Sequence, residues 1–342
     1  MPTRPTSSPH AATPAAQGYR MPAEWAPHQG TWISWPHNPD TWPGFLPGVV
    51  TFYDTLTRAL AEVEEVHINV TTRAMRRDLE QRFAEALARG RVILHDFPTD
   101  DAWCRDHGAT IVKGPAGRAA IDWRYTAWGG KYPPYDSDDR IAALMAEYLG
   151  IPVFRQDVVL EGGALEINSQ GLLLTTASCV LNPNRNPDLT HAAADRLLRD
   201  TLGATEVLWL EGEILGDDTD GHIDNLARFV NDDTVFIEPR LEASSRAVLA
   251  DYRTPAGGSL TVRELPLPAP QQRDGEPLPA SFANFLIANE LVLVPGYGGS
   301  EDERACAMLQ EHFPDRDVRA IDARAAIVGL GAIHCLTQQV PA

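Results

Sequence analysis

The sequence GLGAIHCLTQQVPA at residues 329–342 is the most informative stretch of this chain. It places Cys335 just after a glycine-spaced loop, beside His334 and close to the last residue. Chain ends are often disordered, but apolar Ile333 and Leu336 flank the thiol, so we expect this segment to pack into the body. A free cysteine in an apolar segment is more often a small core residue than a nucleophile. The stretch alone therefore leaves both interpretations open.

The bulk composition is that of an acidic globular protein. Its 342 residues can hold one large domain or two ordinary ones, and the hydrophobic fraction of 44% and charged fraction of 22% are ordinary. The formal net charge of −18 argues against nucleic acid and an anionic membrane surface as partners, while it suits a cationic substrate. No apolar run approaches the roughly 20 residues that a membrane-spanning helix needs.

The cysteines and the first residues bear on the cellular compartment. The four cysteines, Cys104, Cys179, Cys306 and Cys335, form neither a CxxC pair nor a zinc-like pattern. Residues 1–20 are rich in Pro, Ala, Ser and Thr and lack an apolar segment, so we expect a disordered leader and not an export signal. Together these features predict reduced thiols and a cytoplasmic location.

After the leader, short apolar strands alternate with helical patterns, which predicts an α/β protein. The helix expected over residues 73–89 has apolar side chains four apart on one face. Ser137 is a candidate N-cap for a helix over 138–148. The Pro/Gly-rich segment 266–279 is the best candidate for a domain boundary, but we interpret it as a long surface loop. Further strands are expected at 66–70, 92–94, 172–175, 207–210, 234–237 and 291–294, and further helices at 52–65, 191–202, 241–252 and 301–313.

Residues 217–225, DDTDGHIDN, form the second informative segment. If the chain is extended over 222–230, its two-residue period puts His222 and Asp224 on one face. An imidazole and a carboxylate could then serve proton transfer beside a bound cation. The alternative is a polar acidic turn that leads into a strand. A calcium loop of the EF-hand type would lack two of its ligands, so we discount it.

Two further segments are rich in aromatic and charged residues, DDAWCRDHG at 100–108 and DWRYTAWGGK at 122–131. Trp103 could stack on a planar cation while a neighbouring carboxylate makes paired hydrogen bonds to it. The alternative is a surface salt bridge between Arg105 and a nearby aspartate, with Trp103 as ordinary core. The second segment, which includes Trp128, could wall a pocket, although we favour a buried position for Trp123.

One cysteine, one histidine and several carboxylates together suit a guanidinium substrate. Glu161, in LEGGA at 160–164, adds another carboxylate beside glycines that permit close backbone approach. Two carboxylates can hold the guanidinium nitrogens while a thiolate attacks the central carbon. A histidine can then protonate the departing nitrogen and later deprotonate a water molecule. We find neither a GxGxxG nor a Walker motif, so nucleotide binding has no support.

Taken in order from residue 21 to residue 342, these segments closely resemble the agmatine deiminase branch of the guanidino-group modifying superfamily. The segments that carry the resemblance are MPAEWAPHQGTW at 21–32, DAWCRD at 101–106, AWGG at 127–130, LEGG at 160–163, NPNRNP at 182–187, DTDGHIDN at 218–225 and IHCLTQQ at 333–339. The resemblance implies a pentein fold, an α/β propeller of five ββαβ-like modules with pseudo-fivefold symmetry. It also implies a single catalytic domain over residues 21–342.

The same resemblance implies hydrolysis of agmatine to N-carbamoylputrescine and ammonia, with neither a metal nor an organic cofactor. By motif position, Cys335 is the expected nucleophile and His222 the expected general acid and base. Asp106 and Asp224 are expected to hold the guanidinium. The further expected substrate contacts are Trp103, Trp128, Glu161 and Asp218. The expected partner is a small cationic guanidino compound, with a homodimer as an option for the assembly.

The sequence departs from the family pattern near the nucleophile, and three rival functions remain. Leu330 and Ala332 stand in a loop that is commonly Gly-Gly-Gly-Asn, and Ala164 stands where serine is common. These positions bear on substrate preference. The rivals are deimination of free or peptidyl arginine, transfer of the amidino group to an amine, and guanidine binding without catalysis. Arginine would need a cation for its carboxylate, and we can assign no arginine of the chain to that role.

Overall fold

Five small sheets with one repeated topology hold most strands of residues 13–342, the part of the chain that the computed structural model describes. In each sheet two strands pair antiparallel, and the second also pairs parallel with a third. An α-helix connects the parallel strands in every case, because parallel neighbours need a long crossover. The α/β class is therefore confirmed.

The strands and helices have the following bounds. The five sheets contain Thr337–Pro341, His28–Ser34, Glu65–Asn69 and Val92–His95; Thr110–Gly114, Gly117–Arg124 and Val153–Val159; Glu166–Ile167, Leu172–Thr176 and Glu206–Leu210; Ala227–Phe229, Thr234–Ile237 and Thr261–Glu264; and Leu286–Ala288, Leu291–Gly296 and Asp317–Asp322. The crossover helices are Leu46–Val63, Ile141–Leu149, His191–Leu202, Ala243–Asp251 and Ser300–Gln310. A further crossover, Arg73–Arg82 with Ala84–Ala88, precedes Val92–His95.

The first and last strands of the described chain lie side by side. His28–Ser34 pairs antiparallel with Thr337–Pro341, and every residue of the latter strand is buried. Ile333 and Leu336 have no exposed surface. The prediction that the segment around Cys335 packs into the body is therefore confirmed, and the pairing holds that cysteine at a fixed place.

Crossover helices bury one apolar face against the sheets, as the first of them illustrates. In Leu46–Val63 the fully buried residues Val49, Tyr53, Leu56 and Leu60 recur at spacings of four, three and four. This is the pattern of a single helical face. Burial of each large apolar side chain contributes roughly 1.5–3 kcal/mol. The stripe therefore fixes the helix more firmly than its intrinsic propensity does.

Two local expectations were wrong, and at a third segment the structure decides between two alternatives. The helix expected over 73–89 is broken at Phe83, whose φ of −113° and ψ of 25° end the first segment while its side chain is buried. Ser137 lies before a 3-10 turn and makes no capping hydrogen bond through its side chain. At residues 222–230 the structure has the alternative of a turn that leads into a strand, since a 3-10 turn at Ile223–Asn225 comes before the strand Ala227–Phe229.

Of the leader predicted over residues 1–20, residues 1–12 lie outside the described residues. Residues 13–20 belong to the described part of the chain and contact the rest of the protein. Ala15–Gln17 forms a 3-10 turn, Tyr19 is buried against Phe154, and Arg20 exchanges two backbone hydrogen bonds of 2.8 Å with Lys113. Composition does not reveal that one aromatic side chain and one backbone bridge anchor the segment.

The segment 266–279 forms a long surface loop, as expected, and contains a small β-hairpin. Gln272–Arg273 pairs antiparallel with Glu276–Pro277. Across residues 13–342, no helix combines the length and apolar character that crossing a bilayer requires.

Candidate active site

Short turns at the ends of strands bring the chemistry-bearing side chains into one buried cluster. Asp106 lies in the helical turn Cys104–His107, and Cys335 comes just before the last strand. His222 and Asp224 flank the start of the 3-10 turn Ile223–Asn225, so a helical turn and not an extended strand brings them together. Each of these side chains belongs to a residue that is at most 5% exposed.

Asp106 is held by two hydrogen bonds and faces His222. Its Oδ1 accepts the backbone N–H of Gly163 at 3.0 Å, and its Oδ2 accepts the indole N–H of Trp128 at 3.0 Å. The Nδ1 atom of His222 lies 3.7 Å from Oδ1 of Asp106. A Cβ atom at Gly163 would lie 2.5 Å from that same Nδ1, so only glycine leaves room for the arrangement. The paired glycines Gly162 and Gly163 thus allow the backbone of Arg105 and the ring of His222 to pack closely against the chain.

Asp224 stands between the nucleophile and its neighbouring histidine. Its Oδ2 atom is 2.7 Å from Nδ1 of His334 and 3.6 Å from Sγ of Cys335. Its Oδ1 atom is buried without a hydrogen-bond partner among the described residues. A buried carboxylate oxygen without a partner is rare, and here it can accept a bond from a bound donor.

The two aspartates have opposite pKa shifts. Burial, with the charges of Asp224 and Glu161, raises the pKa of Asp106 despite the opposing effect of His222. Burial would also raise the pKa of Asp224, but the hydrogen bond and charge of His334 outweigh it, and the pKa falls below its ordinary value. Asp224 is therefore the more firmly ionised of the two carboxylates.

His222 is placed to donate a proton. Burial disfavours its charged ring, but the Asp106 carboxylate and the Cys179 and Glu161 side chains outweigh burial and raise its pKa well above the ordinary value. Its Nε2 atom is 3.7 Å from Oε2 of Glu161, whose other oxygen, Oε1, accepts a hydrogen bond from Arg185 at 2.8 Å. The raised pKa favours the imidazolium, the form that a general acid needs.

Cys335 is a buried thiol beside two carboxylates. Burial and the charges of Asp224 and Asp106 raise its pKa well above the ordinary value, although the backbone of Ala332 and the side chain of Asn284 partly oppose them. Since negative neighbours disfavour the thiolate, a cation bound among them would favour it. The resting site is thus suited to a cationic ligand.

Asp106 and Cys335 of this cluster line a cavity of about 960 Å³ whose lining is acidic. We call the buried lining residues Trp103, Asp106 and Cys335 the floor of the cavity, together with the buried residues that support them, His222, Asp224, His334 and Glu24. We call the more exposed lining residues Lys131, Tyr132 and Asp218 its mouth. Trp128 also lines the cavity. Among the described residues that line the cavity, the acidic ones are Asp40, Asp100, Asp101, Asp106, Asp138, Asp218, Asp274 and Glu276, and the Lys and Arg residues are Lys131 and Arg273. The imbalance favours a cation over an anion as ligand.

Five of the eight predicted site residues line the cavity, namely Trp103, Asp106, Trp128, Asp218 and Cys335. His222 and Asp224 do not line it, but they lie 3.7 Å from Asp106 and 3.6 Å from the Cys335 sulfur. Glu161 differs, because it lies behind His222 and is bound to Arg185 within the protein. Its position suits support of the histidine better than contact with a ligand. The alternative of a surface salt bridge at Arg105 was wrong, since Arg105 is 2% exposed and its Nε donates to the backbone oxygen of His334. Trp123 is buried, as favoured.

Sequence reasoning missed a buried network behind the site. Glu24 accepts bonds from Arg228 and His334, each at 2.8 Å, and Arg228 also binds Glu166 at 2.7 Å. Asn284 is a second omission, and its amide contacts the Cys335 sulfur. Glu24 stands in the resembling segment 21–32, which was the one available signal, whereas no local motif pointed to Asn284.

The departures from the family pattern have visible structural settings. Leu330 has φ of +75°, the left-handed region that favours glycine, and it lines the cavity. Ala332 and Ala164 are fully buried, and the backbone oxygen of Ala164 accepts a bond from Thr175. Of the three residues that depart from the family pattern, Leu330 is therefore the one that lines the cavity in which a ligand would bind.

Metal-ligand atoms come together at one place within residues 13–342. Glu161, Cys179 and His222 offer oxygen, sulfur and nitrogen atoms within 4.8 Å of one another. Glu161 is already paired with Arg185, and burial raises the pKa of Cys179, so a cation would compete with an arginine and with a proton.

Comparison with known proteins gives a consistent family. The chain is 36% identical to a Pectobacterium atrosepticum protein named "Putative agmatine deiminase", over 98% of each chain. A solved structure of the agmatine deiminase of Enterococcus faecalis is 30% identical, has a TM-score of 0.85, and is matched over 97% of this chain and 98% of that one. A Porphyromonas gingivalis structure named "Putative Arginine Deiminase" is 33% identical, with a TM-score of 0.85 and coverage of 94% and 98%.

The similarity to this family extends over almost the whole sequence and is not confined to the site. The sequence model of the Porphyromonas-type peptidyl-arginine deiminases matches residues 20–341, which include every strand described above. This chain belongs to the Porphyromonas-type peptidyl-arginine deiminase family.

Proposed function

We propose that this protein is an agmatine deiminase, which hydrolyses agmatine to N-carbamoylputrescine and ammonia. The observation that carries the proposal is the convergence of Asp106, His222, Asp224 and Cys335 in one buried cluster, of which Asp106 and Cys335 line an acidic cavity. A guanidinium brings the positive charge that the buried thiol lacks, and its planar nitrogens suit paired carboxylates. The family and its named relatives support the same chemistry.

The reaction uses side chains of the chain and water. When the guanidinium binds between Asp106 and Asp224, the Cys335 thiol loses its proton to water and the sulfur attacks the central carbon. The His222 imidazolium donates its proton to the departing nitrogen, which leaves as ammonia. The neutral ring then deprotonates a water molecule that attacks the same carbon, and the C–S bond breaks to release the ureido product.

Agmatine is the proposed substrate because the cavity offers little to a carboxylate. Lys131 is paired with Asp220 at 3.0 Å, and Arg273 has Asp274 at 3.3 Å. The primary ammonium of agmatine, in contrast, meets a mouth that includes Asp218. Arginine deimination is the second candidate, favoured by the likeness to the Porphyromonas gingivalis structure. Transfer of the amidino group to an amine would use the same residues.

The repeated sheets bear on the architecture of the protein, and its cysteines bear on the cellular compartment. The five sheets of one topology support a pentein propeller of five ββαβ-like modules with pseudo-fivefold symmetry, in a single catalytic domain over residues 21–342. The free state of all four cysteines supports a reducing compartment such as the cytoplasm. A homodimer stays a prediction.

The test compares ureido-product formation from agmatine and from free arginine at equal concentration, with wild type, Cys335→Ala and Cys306→Ala. The matched control, Cys306, is half-buried in the helix Ser300–Gln310 and does not line the cavity. We expect turnover of agmatine by wild type and Cys306→Ala and none by Cys335→Ala, which should still bind agmatine. Preference for arginine would move the protein to the second candidate. Wild-type activity of Cys335→Ala would contradict the mechanism.

A further inference from the structure

Asn284 is a buried polar residue that the reaction described above leaves unused. It lies just before the strand Leu286–Ala288 and is 1% exposed. Its Nδ2 atom is 3.0 Å from the Sγ atom of Cys335, within hydrogen-bonding distance for a sulfur acceptor. It therefore touches the atom that attacks the substrate.

The hydrogen bonds around Asn284 fix which end of its amide faces the sulfur. The Oδ1 atom accepts the backbone N–H groups of His334 at 3.0 Å and Cys335 at 3.3 Å. The Nδ2 atom donates its other hydrogen to Oδ1 of Asn225 at 2.9 Å. A flipped amide would set its two N–H donors against two backbone donors, so only this orientation satisfies the backbone N–H groups of His334 and Cys335.

We propose that Asn284 is a further catalytic residue, whose side-chain amide donates a hydrogen bond to the Cys335 sulfur and stabilises the thiolate. The inference rests on the proposed function. Hydrogen bonds to ionised acceptors are about twice as strong as neutral ones, so the bond favours the thiolate over the thiol. It offsets part of the repulsion from Asp224, whose Oδ2 is 3.6 Å from the sulfur. The same donor serves again when the C–S bond breaks and the sulfur recovers its negative charge.

A purely structural role can be separated from this catalytic one by Asn284→Asp. The carboxylate of the variant keeps both acceptor bonds to the backbone of His334 and Cys335, but it presents an oxygen to the sulfur where the amide presented a donor. The matched control is Asn289→Asp. The Asn289 amide also accepts a backbone N–H at 3.0 Å and donates to a backbone oxygen at 2.7 Å, both of His28.

The experiment measures two quantities with purified full-length protein. The first is the rate at which iodoacetamide alkylates Cys335 as a function of pH, followed by mass spectrometry of its peptide because the chain has other thiols. The second is kcat and KM for agmatine near neutral pH. Thermal unfolding of each variant checks that it is folded.

For Asn284→Asp we expect the alkylation midpoint to rise by at least about one pH unit and kcat to fall at least ~100-fold, with a small change in KM. Asn289→Asp should match wild type in both measurements. A folded Asn284→Asp with wild-type alkylation and kcat would overturn the proposal, since the backbone contacts alone would then suffice.

If Asn284→Asp does not fold, Asn284→Ser decides, because it removes the amide donor without adding charge. It should raise the alkylation midpoint by less than the Asp variant is expected to, and an unchanged midpoint would overturn the proposal. The alkylation titration needs no substrate. Absence of agmatine turnover in wild type would therefore defeat the proposed function while leaving the test of Asn284 intact.

Discussion

The floor and the mouth of the cavity are built in different ways. At the floor, Asp224 is fully buried and bound to His334, which is bound in turn to Glu24. At the mouth, Lys131 is exposed and Asp218 is half-buried, and their bonds run between surface loops. The floor is a buried network of charged groups, whereas the charges at the mouth are exposed to water and salt.

This difference indicates where each part of the function resides. Charge interactions are strong where water is excluded and weak where it screens them. Removal of one floor charge leaves its partner buried without compensation, which costs several kcal/mol. Removal of a mouth charge changes a screened interaction. We infer that the floor determines the chemistry and the mouth adjusts the choice of substrate.

Asp224→Asn should have the largest effect, because it removes the firmly ionised carboxylate beside Cys335. We expect kcat/KM for agmatine to fall at least about 1,000-fold, the scale of breaking a buried charge pair. The control is Asp232→Asn, a half-buried carboxylate bonded to Ser169 outside the cavity lining. Steady-state kinetics of both variants checks the prediction. A fall of less than about tenfold at Asp224 would place guanidinium capture elsewhere.

Glu24→Gln should have the next largest effect, and the quantity that it lowers should be the free energy of unfolding. The variant leaves Arg228 and His334 with a neutral neighbour in a buried place, so we expect a loss of about 3 kcal/mol in the free energy of unfolding. Chemical denaturation near neutral pH measures it. Glu62→Gln is the control, since its ion pair with Arg319 is exposed and should contribute less than about 1 kcal/mol. Equal losses in the two variants would contradict a special role for the buried network.

The pH dependence of the same variant follows from the pKa of Glu24. Burial would raise that pKa, but Arg228 and His334 outweigh it and lower the pKa well below 4.5. A group with a depressed pKa in the folded state contributes stability above its unfolded pKa and loses it as the pH falls. The stability gap between wild type and Glu24→Gln should therefore shrink as the pH falls below about 4.5 towards the folded pKa. A gap that grows on acidification would contradict this sign.

The residues of the floor also show which contacts could be predicted from the sequence and which could not. Cys335, His222 and Asp224 stand in compact motifs, and their local spacing already suggested joint chemistry. Glu24 and His334 are 310 positions apart, so only the folded chain reveals that they meet. At 222–230 the sequence left an extended strand and a turn that leads into a strand both open, because alternation cannot be distinguished from a 3-10 turn over three residues, and the structure has the turn. Most crossover helices were predicted, since their apolar faces repeat over several turns.

At the mouth, Asp218→Asn should have a moderate effect confined to substrate binding. Tyr132 donates a hydrogen bond to the Asp218 carboxylate, and the pair lines the cavity. Loss of this partly screened charge should raise KM for agmatine about three- to fivefold with little change in kcat. Asp251→Asn, at the end of the helix Ala243–Asp251, removes an equal charge outside the cavity lining as a control. A loss in kcat as large as that of Asp224→Asn would erase the distinction between floor and mouth.

Lys131→Met should have the smallest effect and the opposite sign. Lys131 donates to Asp220 and to the backbone oxygen of Asp218, so its removal makes the mouth more negative. We expect KM for agmatine to fall about twofold at low ionic strength, and the gain to vanish as salt screens the exposed charges. Kinetics over a salt series checks it, with Lys113→Met, a lysine outside the cavity lining, as control. If KM rose at every salt concentration, Lys131 would serve to order the loops and not to balance charge. Opposite, salt-sensitive shifts at Asp218 and Lys131 with a constant kcat would instead mean that substrate selection at the mouth is separable from the chemistry at the floor.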